Sequence, residues 1–399
     1  MHRSAIFIIL LVLVTACSAP IRSISQQQLM AGQSDFAEKY QSELKIMALK
    51  SQARLADEYA NADYQSYDIL VLSGGGELGA FGAGFLKGWG KVAPGEFARP
   101  DFDSVSGIST GALIAPFAFV GTDESYEQVV NLYRNPDRDM VVARSLLSFL
   151  SGYESYYDAQ ILHKRIRESI TPQIVQSIAK KGKQNNTLLV GATNLDFGVM
   201  RVWDLSEIAG SIPVQDAQQD IAAKLIASSA IPSAFPPVNM DGYLYVDGGA
   251  SMQVVSGIDD RSWLYEDRNS DTQFVKLDKP LRLRIWIIVN NKLQLDPGVV
   301  SPKWSSIATR SIKSLMRGST LQTIQDIETF SQMINKRGDF DVQMRFVSIP
   351  QGYQIPESDN LFDSDVMQGL VDLGEQMGTN PNNWETRALR PGASILDGR

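Results

Sequence analysis

Residues 107–111, Gly-Ile-Ser-Thr-Gly, have the G-x-S-x-G spacing of a nucleophile elbow. A serine on a tight strand-to-helix turn takes strained backbone angles, and glycines on either side remove side chains that would clash. The turn lifts the Ser109 hydroxyl above the sheet, beside free N–H groups at the start of the next helix. Such a serine requires a base, which in the usual triad is a histidine oriented by a carboxylate. The chain has two histidines. His2 lies in an N-terminal leader, and His163 sits in "YDAQILHKRIRESI" beside Lys164 and Arg165, where it reads as a helix surface residue. A Ser-His-Asp triad therefore has one poor candidate. Asp247 ends the strand "YLYV" and is followed by Gly248 and Gly249, which exposes its carboxylate on a turn; Asp-Gly also commonly does no more than order a turn. The third stretch, "LVLSGGGELGAFGAG", contains Gly74-x-Gly76-x-x-Gly79. Its backbone N–H groups suit a phosphate or some other negative oxygen.

The elements that must position these groups read as strands alternating with helices. "YDILVLSGGG" is a buried strand ending in a glycine turn, and "ELGAFGAGFLKGWG" is a helix of small residues. "DFDSVSGIST" is a short strand running into the elbow, "GALIAPFAFV" an apolar helix, and "NTLLVGATNL" and "LRLRIWIIVNN" are further strands. "SDVMQGLVDLGEQMG" is a late helix, and the residues after about 379 read as a loose tail. Several strands are apolar throughout, which indicates a mostly parallel sheet covered on both faces. "FAFV" and the tryptophans are expected in the core.

Four motifs occur in order: "SGGGELG", "GISTG", "ASSAIPSAFPPV" and "DGG". In this order and context the chain resembles the patatin-like phospholipase family, from about Tyr67 to Gly378. The resemblance implies a three-layer α/β/α fold and hydrolysis of lipid acyl esters by a Ser-Asp dyad without histidine or cofactor. Position by position, it makes Ser109 the nucleophile and Asp247 the general base. The N–H groups of Gly74, Gly75 and Gly76 would form the oxyanion hole, with Gly79, Gly107, Gly111, Gly248 and Gly249 supporting the turns. Two positions depart from the family pattern. Leu78 stands where many members carry Arg or Lys, and Gln253 stands near the usual Asn.

The first residues, "MHRSAIFIILLVLVTACSAP", combine Arg3, a short apolar run from Ile6 to Val14, and small residues, as in a secretory signal. "VTAC" resembles the lipobox of bacterial lipoproteins, and Cys17 is the only cysteine. The resulting expectation is a signal peptide over 1–16 and a lipidated Cys17 with a linker and amphipathic helix, or a disordered stalk, over 17–66. A catalytic domain follows over 67–378, with a tail over 379–399. Lipidation would tether the domain to the cell envelope. Ser18, where Asp would retain a lipoprotein at the inner membrane, points to the outer membrane.

The formal net charge is −8, which argues against a nucleic-acid partner. No His/Cys cluster suits zinc and no D-x-D-x-D-G loop suits calcium, so no metal is expected. Arg310, Lys313 and Arg317 share helical spacing that suits anionic lipid or simply a solvated face. Other functions stay open on the residues: a non-catalytic lipid- or partner-binding lipoprotein, or an acyltransferase using the same acyl-enzyme. A dinucleotide-binding oxidoreductase needs an acid at the end of a second strand, and Glu96, Asp101 and Asp103 lack a preceding strand.

Overall fold

The computed structural model describes residues 22, 24–60, 66–137, 139–144, 154–255, 280–336, 338, 340–358 and 360–388. The expected signal peptide and Cys17 lie outside the described residues, as does the end of the expected tail. The strands are β1 (Tyr67–Leu72), β2 (Ser104–Ile108), β3 (Val142–Ala143), β4 (Tyr157–Asp158), β5 (Thr187–Asn194), β6 (Val199–Asp204), β7 (Val238–Met240), β8 (Tyr243–Asp247), β9 (Leu281–Val289) and β10 (Phe340–Ser348). The main sheet has the order β10-β9-β1-β2-β5-β8-β7, with β6 also paired to β5. The pairs from β10 to β5 are parallel, while β6 and β8 run antiparallel to β5 and β7 antiparallel to β8. The sheet is thus mostly parallel, with an antiparallel edge.

Alternate residues of the central strands enter two separate cores. Leu70 and Leu72 of β1 and Trp286 and Ile288 of β9 pack into one, while Ile69, Val71, Ile285 and Ile287 pack into the other. Because both faces are covered, the strands read as continuous apolar runs. This gives the three layers. On the first face lie α3 (Gly79–Trp89), α4 (Thr110–Val120), α5 (Asp123–Arg134), α6 (Gln160–Ser169), α7 (Pro172–Gly182), α8 (Leu205–Ser211), α9 (Val214–Ser228) and α11 (Ser364–Gly378). The second face is covered by α10 (Trp304–Asn335), whose Leu321, Ile324, Ile327, Phe330 and Ile334 are buried against β9 and β10.

The small residues of α3 are explained by α11. A Cβ on Gly84 or Gly88 would collide with the carbonyls of Val371 or Glu375, and one on Gly374 or Gly378 with those of Phe81 or Phe85. Two G-x-x-x-G faces therefore let the helices meet backbone to backbone, which fixes α3 and the glycine loop at its N-terminus.

Before the domain, α2 (Gln33–Ala60) forms the expected helix, and a short helix, α1 (Gln26–Ala31), falls in the stretch read as linker; no residue of α2 is fully buried. α2 docks through both charge and apolar contact: Arg54 to Asp103 at 2.8 Å, Lys50 to Asp204 at 2.8 Å and Glu43 to Arg201, with Leu55 and Tyr59 packed against the second core and Phe36 stacked on Phe197 at 4.3 Å. The tail reading also needs correction through residue 388. Phe346 and Glu385 exchange backbone hydrogen bonds of 2.8 Å, and Trp384 packs into a cluster with Phe85, Trp89 and Trp286. An aromatic ring entering that cluster outweighs the local Asn and Pro content. Trp304 departs from the expected core placement, being 82% exposed.

Candidate active site

β2 and β8 meet end to end along one edge of β5. Ile108, the last residue of β2, pairs with Gly191, and Asp247, the last of β8, pairs with the next residue, Ala192. Since β2 is parallel and β8 antiparallel to β5, their C-terminal ends converge. Ser109 and Asp247, far apart in sequence, thereby become neighbours, with the Ser109 hydroxyl close enough to the Asp247 carboxylate to lower its pKa. Gly191 suits this junction because a Cβ there would press on Ile108 and Met200, and one on Gly248 would press on the Gly191 carbonyl.

Ser109 has φ 55° and ψ −125°, the strained conformation its motif implies. Such a non-glycine residue costs on the order of 1–3 kcal/mol and persists only when its surroundings hold it. The flanking glycines are required by contact. A Cβ on Gly107 would collide with the Gly111 carbonyl, and one on Gly111 with the Leu72 carbonyl. The Ser109 N–H donates to Ser228 Oγ at 3.0 Å, and that hydroxyl donates to the Gly191 carbonyl at 2.6 Å. Two residues on, the Ala230 carbonyl accepts the Asp247 N–H at 2.8 Å. The segment "ASSA" thus grips both halves of the pair by their backbones. Ser228 escaped the sequence reading, although it lies inside a quoted motif.

Asp247 is 4% exposed. Burial pushes its carboxyl up to about 6, against the lowering effect of the Ser109 hydroxyl and of a 2.7 Å hydrogen bond from the Gly249 N–H. Among the described residues, no cation contributes to that shift. A carboxylate with this affinity for a proton, beside a serine hydroxyl, has the chemistry of a general base.

The glycine loop comes to the same place from β1. Gly74 packs against Cβ of Ser109, and Gly76 has φ +59°, a conformation glycine adopts without strain. Gly75 lies so close to the Asn290 carbonyl that any Cβ would overlap it, and a Cβ on Gly79 would collide with Thr110. Asn290, just after β9, clamps the loop's entrance. Its N–H donates to Ser73 Oγ at 2.9 Å and its side-chain amide to the Ser73 carbonyl at 2.8 Å. The sequence offered no signal for that clamp beyond a polar pair ending an apolar strand. Gly74 differs from the expected oxyanion donor because its N–H already donates to the Gln253 carbonyl at 3.3 Å. Among the described residues, the N–H groups of Gly75 and Gly76 have no such acceptor.

Gln253, one of the two departures, is 2% exposed and ties the loop to the Asp turn. Its carbonyl holds Gly74, and its side-chain amide donates to the Gly249 carbonyl at 3.2 Å. Leu78, the other, packs its half-buried side chain against the first core. The adjacent Glu77 accepts the Phe362 N–H at 2.7 Å, and burial raises its pKa. Phe362 stacks on Phe235, so Glu77 holds one wall of the cavity in front of Ser109.

That cavity encloses about 780 Å³, its open mouth included. From Gly76 and Ser109 it runs among Leu113, Phe117, Leu162, Ile166 and Phe235, with few polar atoms until Arg165 and Ser169. Arg165 is committed to the Leu132 and Asn135 carbonyls and to Asp137. His163 does not line the cavity, and burial together with Arg167 lowers its pKa.

The acid that a dinucleotide site needs is missing from the end of β2, where Ser109 stands. Asp103 precedes β2 at the opposite end of the sheet, accepting from the Asp68 N–H and Arg54 at 2.8 Å each. Among the described residues, no group of three or more His, Cys, Asp or Glu is placed to hold a metal ion.

No curated protein matches this sequence. The crystal structure of VipD from Legionella pneumophila aligns with 81% of this chain and 68% of its own, at 13% identity and a TM-score of 0.33. Residues 70–255, which contain the glycine loop, the elbow and the Asp-Gly-Gly turn, match the family model of patatin-like phospholipases.

Proposed function

We propose that the chain is a lipid acyl hydrolase working through Ser109 and Asp247. The observation that carries this reading is the convergence of β2 and β8 on Gly191 and Ala192, which joins an elbow serine to a buried, proton-avid aspartate. Asp247 takes the Ser109 proton as the hydroxyl oxygen attacks the ester carbonyl. The carbonyl's electron pair moves to its oxygen, which the Gly75 and Gly76 N–H groups receive. Collapse of that intermediate expels the alcohol, which leaves with the proton held by Asp247, and the acyl group stays on Ser109. Water then repeats the sequence with Asp247 again as base, releasing the fatty acid. The apolar cavity fits the acyl chain, and its scarcity of polar groups disfavours a hydrophilic substrate. Lipidation of Cys17 would hold the domain at the cell envelope, near its substrate.

A fluorophosphonate probe tests the reading. It should label the purified chain at Ser109 and not the Ser109→Ala variant, and acyl-ester hydrolysis should follow the labelling. A chain that folds but neither labels nor hydrolyses would instead favour a lipid-binding role.

A further inference from the structure

The N-terminal half of α10 and the loop before it expose an apolar face that nothing in the acyl-transfer chemistry uses. Trp304 is 82% exposed and Leu315 73%, with Val299, Ile307 and Ile312 also exposed. At 3.6 residues per turn, Trp304, Ile307, Ile312 and Leu315 project within a sector of ~140°. The second half of the same helix buries its apolar residues on the sheet, so the two halves differ in what they are built to meet.

Charge identifies the occupant. Between Pro297 and Gln325 the chain carries Lys303, Arg310, Lys313 and Arg317 and no Asp or Glu, although its overall charge is −8. These four cations occupy the helix sector adjoining the apolar one. Arg310 donates to the Asp296 carbonyl at 2.8 Å and Arg317 to the Leu293 carbonyl at 2.6 Å. They thereby fix the helix beside the loop that leaves β9, next to the Asn290 clamp. Lys313 is near enough to Glu77 for its charge to lower that group's pKa. The basic flank of the helix is therefore the side turned toward the glycine loop.

We infer that residues 299–315 form a membrane-docking element, inserting Trp304, Ile307, Ile312 and Leu315 among acyl chains while the basic flank meets anionic headgroups. An apolar sector with Lys and Arg alongside is the pattern of a helix lying in a lipid interface. A neutral protein groove would offer the four cations no opposite charge, whereas an anionic bilayer suits both sectors. Docking in this way would turn the glycine loop toward the lipid from which the proposed substrate comes.

The test uses the full chain with Cys17→Ser, which leaves no site for acylation, and Leu315→Cys labelled with an environment-sensitive fluorophore. A control chain carries the label at Lys183→Cys, at the opposite end of the sheet. Vesicles of phosphatidylglycerol and phosphatidylcholine should shift the label at 315 to the blue, and brominated acyl chains should quench it, with neither effect at 183. Lys303→Glu with Lys313→Glu should weaken vesicle binding at least ~10-fold. An unchanged label at 315, equal quenching at both positions, or burial of 315 before vesicles are added would each overturn the inference; concentration-dependent burial would indicate a second copy. Because the readout needs no turnover, its failure leaves the hydrolase reading standing, and an inactive chain leaves this one standing.

Discussion

The two ends of the sheet hold buried aspartates that burial perturbs alike and that do unlike things. Asp103, before β2, and Asp247, at the end of β8, are each 4% exposed and each pushed up to about 6 by burial. At the first end the carboxylates meet cations: Arg54 on Asp103, Arg284 on Asp68, and Lys50 on Asp204. At the second, Asp247 meets a hydroxyl and a backbone N–H and, among the described residues, no cation. A charge pair fixes a proton's absence, while a hydroxyl partner leaves a proton available to move. A raised pKa does not distinguish the two aspartates. The identity of the partner does.

The largest effects belong to the second end. Asp247→Asn keeps an acceptor for the Gly249 N–H but cannot take a proton, so ester hydrolysis should fall at least ~10⁴-fold. Steady-state kinetics on a soluble short-chain ester would measure this, and a loss below tenfold would return Asp247 to the role of turn residue. Gly75→Ala should cost about 10²–10³-fold in kcat, because the new methyl must push the loop off the Asn290 carbonyl and misaim the N–H groups. An unchanged kcat with a folded protein would remove Gly75 from the oxyanion hole.

The same aspartate should reveal itself in stability, with a sign opposite to most substitutions. An acid whose folded pKa lies above its unfolded value binds more protons folded than unfolded in the interval between them. Stability then falls as pH rises from about 4 to about 6 and stays low above that. Asp247→Asn removes the cost of holding a buried charge, so it should stabilise the fold at pH 7.5 by up to about 3 kcal/mol and change little at pH 4. Activity of the unaltered chain should rise across the same interval as the base ionises. Denaturant titrations at the two pH values check the first claim, and a pH–rate profile the second.

How much of this was legible depends on whether an interaction is local. The Ser109 turn announces itself through Gly107 and Gly111, because a tight turn needs its glycines at fixed offsets. Apolar strands likewise reveal a doubly covered sheet, since burial on both faces suppresses alternation. The pairing of β8 antiparallel to β5 left no trace in "YLYV", yet it is what brings Asp247 to Ser109. Ser228 and Asn290 act through hydrogen bonds to residues distant in sequence, and nothing in the residues around them shows where those bonds go. Gly74 looked like its neighbours until the Gln253 carbonyl, nearly the whole domain away in sequence, took its N–H. The docking of residues 381–388 depends on an aromatic cluster assembled from two other parts of the chain, α3 and β9.

The smallest effect should come from the first end, and it separates the two aspartates most directly. Arg54→Met keeps an apolar stem on α2 and removes the guanidinium that donates to Asp103 at 2.8 Å. Asp103 keeps the Asp68 N–H but loses its cation, so its pKa must rise further above the usual carboxylate range. The cost of its charge then grows, and the fold should lose about 1–2 kcal/mol at pH 7.5. That loss should shrink as pH falls and Asp103 takes a proton, because a neutral acid no longer needs the arginine. Throughout, kcat and the pH–rate profile should match those of the unaltered chain, since Asp247 and its hydroxyl partner lie at the other end of the sheet. A shift in the acid limb of that profile would mean that the charged end reaches the reacting one. The division between structural and chemical carboxylates would then fail.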